Sequence, residues 1–440
     1  MPIGARQYLM DEVEVKKLRE KATLRLVCIV AGSLLAALLV PLAAKAWLGS
    51  QKISSNDDPA AYEDGMRRYP ALAARGSNVY AMWSRRVGSG GGEYDPYYDK
   101  SSDNGQNWGT DTNIQPISST ETLAPSLDLT IDSSDRVHFV WAETTGAPQY
   151  TLYYSYTIGT AIQTITQTTQ MAIQPAIEVN SGDVHVVWAQ GNILPTNISY
   201  ISKTIGTGAW SGSPTKIHSS SGPTIMSMYP DIAVDNMGNL HVVWEESESG
   251  DESTILYQKN DGSWLTNPIT LSTGITNSRQ PAIAVYSDTV NVVWCEYFSR
   301  TVQYVRFQQS PDGGSTWDPS SVRISGSALA VNQTVSTYLL PAITVDSNGK
   351  IHVAFNGQST NPAEDIHYVS REPGGGWSAR HNVTNNNNNA TAPAIAAAGD
   401  YVHLIWAEKE VGGDLYDVYY SRTSMLAEDI YLPIILKNSS

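Results

Sequence analysis

Apolar and polar positions along this chain fall into one phrase that returns seven times. A proline opens a short apolar run, a cluster of Asp, Asn, Ser and Gly interrupts it, and a second apolar run ends in an aromatic residue. The clearest copy is PDIAVDNMGNLHVVWE at 230–245. The copies start at Pro70, Pro125, Pro175, Pro230, Pro281, Pro341 and Pro393, 50 to 60 residues apart. Short β-branched and aromatic runs predict strands, and the polar cluster supplies residues that tolerate the left-handed backbone of a tight hairpin. One such unit cannot bury both of its faces alone, so the copies must stack on each other. The pattern predicts an all-β fold, a seven-bladed β-propeller.

Each copy supports four strands, A to D. Strand C is Tyr-rich, as in LYYSY at 152–156 and DVYYS at 417–421, and strand D alternates polar and apolar residues, as in PITLS at 268–272. Trp83, Trp141, Trp188, Trp244, Trp294 and Trp406 end strand B, with Phe355 in that slot in the sixth copy. Trp108, Trp210, Trp264, Trp317 and Trp377 follow the turn between strands C and D. Such regularity predicts packing between blades, since buried indoles contribute large apolar areas. His138, His185, His241, His352 and His403 each stand three residues before the strand-B aromatic. One histidine per blade diverges around a ring, whereas a zinc site needs convergent ligands. These histidines therefore read as repeated structural hydrogen-bonding groups, and no metal site is predicted. The last copy needs an outer strand, and 430–436 (IYLPIIL) is the candidate, with Pro433 suited to an edge.

Two segments carry a more specific motif. Ser101, Asp103, Gly105 and Trp108 fit S-x-D-x-G-x-x-W, as do Ser310, Asp312, Gly314 and Trp317, at the same place between strands C and D. This is the Asp box, and the chain resembles the sialidase (BNR-repeat) superfamily over roughly residues 68–425. The box is a structural turn and implies fold kinship rather than chemistry. The first copy extends the resemblance. Arg68-Tyr69-Pro70 is similar to the Arg-Ile-Pro motif whose arginine joins the carboxylate clamp of sialidases, and Arg85, Arg86, Glu93 and Asp95 follow where the family places an arginine and an acid. A planar guanidinium suits such a clamp because it binds a carboxylate through two parallel bonds.

Strand direction sorts the remaining candidates. The start of strand A and the end of strand B share one face, which holds Arg68, Arg85, Arg86, Arg279 and Arg300. It also holds Glu143, Glu245, Glu246, Glu296 and Glu408, which read as a solvated rim, with a Ca²⁺-holding ring as the alternative. A retaining sialidase needs a Tyr nucleophile with a Glu partner, and Tyr229 or Tyr338 with Glu245 or Glu296 stand on that face.

Charge and the N-terminal segment set the location. Residues 1–46 carry seven of the 28 basic and four of the 43 acidic residues, leaving 21 and 39 and a net charge of −18 on the rest. Such a body repels nucleic acid. Residues 26–44 form an uncharged, mostly apolar run behind a basic flank at 1–25, which predicts export. The run is a signal peptide cut after Ala46 or a retained signal anchor of about 28 Å. Residues 47–66 read as a linker and 67–437 as the propeller. Cys28 and Cys295 are the only cysteines and predict no disulfide framework. The expectation is an exported or membrane-anchored propeller that binds a glycan or a surface protein. An exo-sialidase-type hydrolase is the alternative, and no cofactor is expected.

Overall fold

The computed structural model describes residues 47–54 and 70–425, apart from 88–92, 115–125, 145–149, 157–161, 169, 181, 193, 208, 248–251, 276, 332–337, 359–362 and 410–415, and apart from the side chains of Arg86, Val87, Glu93, Thr144 and Gln167. The apolar run at 26–44, the Ala46 junction, Arg68 and the strand expected at 430–436 lie outside the described residues.

Among the described residues, twenty-eight strands form seven antiparallel four-stranded sheets. Blade 1 is built from Ala71–Arg75, Asn78–Val87, Glu93–Ser101 and Thr112–Asn113. The innermost strands of blades 2 to 7 are Ser126–Ile131, Met171–Val179, Met226–Val234, Ser278–Tyr286, Ala342–Val345 and Asn389–Ala398. Each innermost strand touches that of the next blade, and Asn389–Ala398 touches Ala71–Arg75, so the ring is closed. Repetition around a ring leaves only short outer edges, which limits edge-to-edge pairing.

The core lies between blades rather than within one layer. Trp141, Trp188, Trp244, Trp294, Trp406 and Phe355 have no exposed surface, and Trp83 has 1%. The C–D tryptophans each meet an aromatic ring of the preceding blade edge-on. Trp108 packs on Tyr420, Trp210 on Tyr154, Trp264 on Tyr200, Trp317 on Tyr257 and Trp377 on Phe307, with centroids 4.8–5.1 Å apart. The histidines are held inside their own blades. His138 shares hydrogen bonds with Tyr154 (2.7 Å) and Asp132 (3.2 Å), and His241 and His352 repeat this with Tyr257 and Asp235, and with Tyr368 and Asp346.

Ring closure differs from the sequence expectation. Gln51–Lys52 pairs with Tyr416–Ser424 and is the outer strand of blade 7, so 47–54 is part of the propeller and not a linker. Ile53 is 5% exposed in a core with Trp83, Ile405 and Tyr420. Two residues of strand carry almost no periodic signal, which is why the sequence pattern missed them.

The proline phrase also needs a correction in blade 2. Asp128 pairs with Val140, one residue before Trp141, as Asp231 pairs with Val243 before Trp244. Leu127 therefore occupies the slot that Pro230 fills in blade 4, two residues after Pro125.

Candidate functional site

The two Asp boxes behave as turns. Asp103 accepts backbone N–H bonds from Gln106 (3.0 Å) and Asn107 (2.9 Å), and Asp312 accepts one from Thr316 (2.7 Å). These bonds favour the ionised form, and Asp103 is held down to about 2. The structure adds a reason for the glycine. A Cβ on Gly105 would fall on the hydroxyl of Tyr420 from blade 7, and one on Gly314 would fall on the hydroxyl of Tyr257 from blade 4. Both glycines also have positive φ, 76° and 82°.

At the axis, the innermost strands line a channel of about 350 Å³. The position after the proline slot is Ala71, Ala176, Ala282, Ala342 or Ala394 in five blades, and Asp128 or Asp231 in the other two. Each aspartate caps its own strand and its neighbour. Asp128 accepts from Leu129 and Ile177 N–H (2.8 and 2.9 Å), and Asp231 from Ile232 and Ile283 N–H (2.9 and 2.8 Å). Removal from bulk water, countered by those amides, still pushes Asp128 up to about 8 and Asp231 up to about 6. Glu178 in the channel is pushed up to about 7 by the same burial. Among the described residues, no group of three His, Cys, Asp or Glu side chains is placed to hold a metal ion.

The channel mouth has its own geometry. In blades 3, 4, 5 and 7 the residue before the proline (Gln174, Tyr229, Gln280, Ala392) has φ of 53–60° and sits at a bulge in the A–B pairing. Bulges redirect side chains at functional rims. Here they turn backbone N–H groups towards the neighbouring blade: Gln174 donates to Ser126 Oγ (3.0 Å), Tyr229 to Gln174 Oε1 (2.9 Å), and Gln280 to Glu245 Oε2 (3.1 Å). The Nε2 groups of Gln174 and Gln280 are buried with no hydrogen-bond partner among the described residues.

Three of the predicted site residues meet at this mouth. Arg279 donates to Glu245 (2.8 Å) and, through Nε and Nη2, to the Asn277 carboxamide (3.2 and 3.0 Å), and it lies over the Tyr338 ring at 5.0 Å. Glu245 is fully buried and Arg279 is 8% exposed, so this guanidinium is already neutralised from within. The others stand elsewhere. Arg85 faces Asp111 (3.6 Å) and covers Tyr97 (4.8 Å) in its own blade, and Asp95 accepts from Asn113 (2.5 Å). Glu296 is gripped by Arg306 (2.9 and 2.7 Å) and Arg323 (2.7 Å) in blade 5. The side chain of Arg86 is not described.

The acids after strand B are not a solvated rim. Glu143, Glu245, Glu296 and Glu408 are at most 3% exposed. Glu143 and Glu408 accept from the indoles of Trp141 (2.5 Å) and Trp406 (2.7 Å) two residues earlier, and Glu246 shares a bond with His218 (2.5 Å). A buried indole N–H usually finds an acceptor, and a glutamate two residues on is the local one.

No protein-family model matches the chain, and no curated protein matches it. Among solved structures, a protein of unknown function from Dyadobacter fermentans is similar over 86% of this chain and 98% of its own, at 10% identity and a TM-score of 0.51. A sialidase of Trypanosoma rangeli, also solved with sialic acid bound, is similar over 85% of this chain at 12% identity and a TM-score of 0.48. The NanB sialidase of Streptococcus pneumoniae is similar over 86% at 11% identity and 0.47. The chain spans 59% of the length of the trypanosomal enzyme. With its seven four-stranded blades and two Asp-box turns, this is a β-propeller, and the likeness to these solved structures is one of fold.

Proposed function

We propose that this protein is an extracytoplasmic binding propeller whose channel mouth takes a glycan. One observation carries the reading. The mouth offers buried carboxamide donors, Gln174 and Gln280, while its one described cation, Arg279, is held by Glu245 and Asn277. Donors without partners suit the hydroxyls of a sugar, and a guanidinium already neutralised is a poor clamp for a substrate carboxylate. The basic flank and apolar run at 1–46 support export, by cleavage or by anchoring.

A sialidase-type hydrolase is the second reading, favoured by Glu245, Arg279 and Tyr338 gathering at one place. One pair of measurements separates the two. Residues 47–440, which keep the closing strand, are applied to a glycan array and to a fluorogenic sialoside. Glycan binding without turnover is the expected result. Turnover that Tyr338→Phe abolishes would overturn it in favour of the hydrolase.

A further inference from the structure

Blades 4 and 5 differ from blades 2 and 7 at the end of strand B. In blades 2 and 7 the glutamate two residues past the tryptophan takes the indole N–H. In blade 4 that glutamate, Glu246, meets His218, and in blade 5 Glu296 binds Arg306 and Arg323; the indole N–H groups of Trp244 and Trp294 are both left buried with no partner among the described residues. Leaving a buried donor unmade is destabilising. What this arrangement secures is the position of Arg323, which lies 3.8 Å over Tyr304 and 5.6 Å over Phe298.

Phe298 is held outwards by the backbone. Tyr297 pairs with Gln303 and Ser299 with Val302, so Phe298 is the extra residue of a β-bulge, and it is 57% exposed. Val302, across the same hairpin, is also exposed. Arg300, exposed at the hairpin tip, makes no side-chain bond among the described residues, and Arg323 gives only its Nε to Glu296, which it shares with Arg306, whereas Arg279 is engaged through all three nitrogens. Arg300, Arg306 and Arg323 against Glu296 give this corner a net charge of +2, on a chain whose net charge is −15.

Two features select the partner. Charge complementarity calls for an anion. The edge of the third strand is already covered: Gln303 exchanges backbone bonds with Leu329 (3.0 Å each), Ile324 N–H reaches Val305 (2.9 Å), and Ser325 Oγ accepts from Val305 N–H (3.1 Å). An extended peptide therefore has no main-chain ladder to join here. Recognition must come from a flat apolar ring flanked by guanidinium groups.

We propose that this corner of blade 5 binds a carboxylated sugar, with the sugar ring laid on Phe298 and its carboxylate met by Arg300 and Arg323. The site is separate from the channel mouth, and it rests on the reading of the protein as a glycan-binding propeller.

The test is calorimetric titration of residues 47–440 with an oligogalacturonate, against a neutral galactose oligomer and poly-glutamate. Binding of the oligogalacturonate alone is expected. Phe298→Ala should weaken it about tenfold or more, and Arg300→Gln several-fold, as lost aromatic and charge-assisted contacts do. Neither side chain supports the core, and matching melting curves would verify the fold. Met237→Ala, an exposed apolar side chain on the A–B turn of blade 4, should bind as the parent does. Loss in Tyr338→Ala with Phe298→Ala unchanged would overturn this site and leave the mouth reading standing. Equal binding of the neutral oligomer, or binding of poly-glutamate in place of the sugar, would also overturn it. No oligogalacturonate binding beside positive glycans on the array defeats this proposal alone. An empty array defeats the glycan reading beneath it.

Discussion

Ile53→Ala is the sharpest test of how the ring closes. Ile53 follows the two-residue outer strand of blade 7 and is buried among Val79, Trp83, Ile405, Val418 and Tyr420, side chains of blades 7 and 1. Around it, Ile53 N–H donates to Val418 (2.9 Å), Leu48 N–H to Arg422 (2.9 Å), Ser421 Oγ to the Leu48 carbonyl (2.5 Å), and Lys52 pairs with Asp417 (2.9 Å). Those bonds hold the segment in place, so the cavity left by the mutation cannot close by local collapse. Truncating a buried Ile to Ala in such a site costs about 2–5 kcal/mol. With a denaturant slope near ~3 kcal/mol/M for urea, the midpoint should fall by about 1 M. The assay is urea unfolding followed by tryptophan fluorescence. Had 430–436 closed the ring, Ile53 would sit in a linker, and the same mutation would stay within ~0.5 kcal/mol of the parent. The reasoning is refuted if Ile53→Ala is silent while Ile434→Ala or Ile435→Ala shifts the midpoint. A chain starting at residue 55 should expose the edge of Tyr416–Ser424 and aggregate on heating.

Two further outcomes follow from the blade contacts and the channel. Gly314→Ala should lower the melting temperature well beyond Gly206→Ala. The two glycines have similar φ, 82° and 86°, but only Gly314 has the Tyr257 ring where the methyl would go. Equal losses would show that backbone strain alone accounts for the Asp-box glycine. The pH dependence should run against the usual trend. Asp128 (about 8) and Glu178 (about 7) have folded values above their unfolded ones, so above pH ~4 the folded state holds more protons and stability falls as pH rises through those values. The buried His185, His367 and His403, pushed down to about 4 by burial, act in the opposite sense between about pH 4 and 6.5. The window from pH 6.5 to 8 therefore isolates the channel acids. Melting temperature should decline there, and Asp128→Asn should flatten the decline; an unchanged slope would remove Asp128 from the account.

Much of the architecture was legible because a repeat reports the same environment several times. The strand-B tryptophans, the C–D tryptophans and the histidines each recur at fixed offsets; the structure buries the first set and gives the other two a recurring aromatic partner. What could not be read was the partner. The strand A–B hairpin shows where Glu296 lies along the chain, but not that Arg306 and Arg323, on strands C and D, turn towards it. Arg85 and Asp95 were placed by resemblance to a clamp, and their own blade engages them through Asp111 and Asn113. The closing strand escaped notice because two residues cannot show alternation, and because its hydrogen bonds come from more than 360 positions away.

A repeat is also its own control, and this gives the departures their meaning. Where a position is Glu beside Trp in blades 2 and 7, the indole takes the carboxylate and the local structure is complete. The same pair in blade 5 could make that bond, yet the carboxylate serves two arginines and the indole goes without, as it does in blade 4, where Glu246 meets His218. Selection for stability alone favours the bonded form, since an unmade buried donor costs about 1–3 kcal/mol. The two forms can be compared directly. Replacing both Arg306 and Arg323 with Gln should release Glu296 to the Trp294 indole and shift that indole's proton resonance downfield. Stability should change little, because the lost ion pairs are offset by the restored bond, while any ligand held by the arginines should be lost. If the double variant instead unfolds and Trp294 stays unbonded, the arginines are there to neutralise Glu296, and the exposed Phe298 beside them needs another reason.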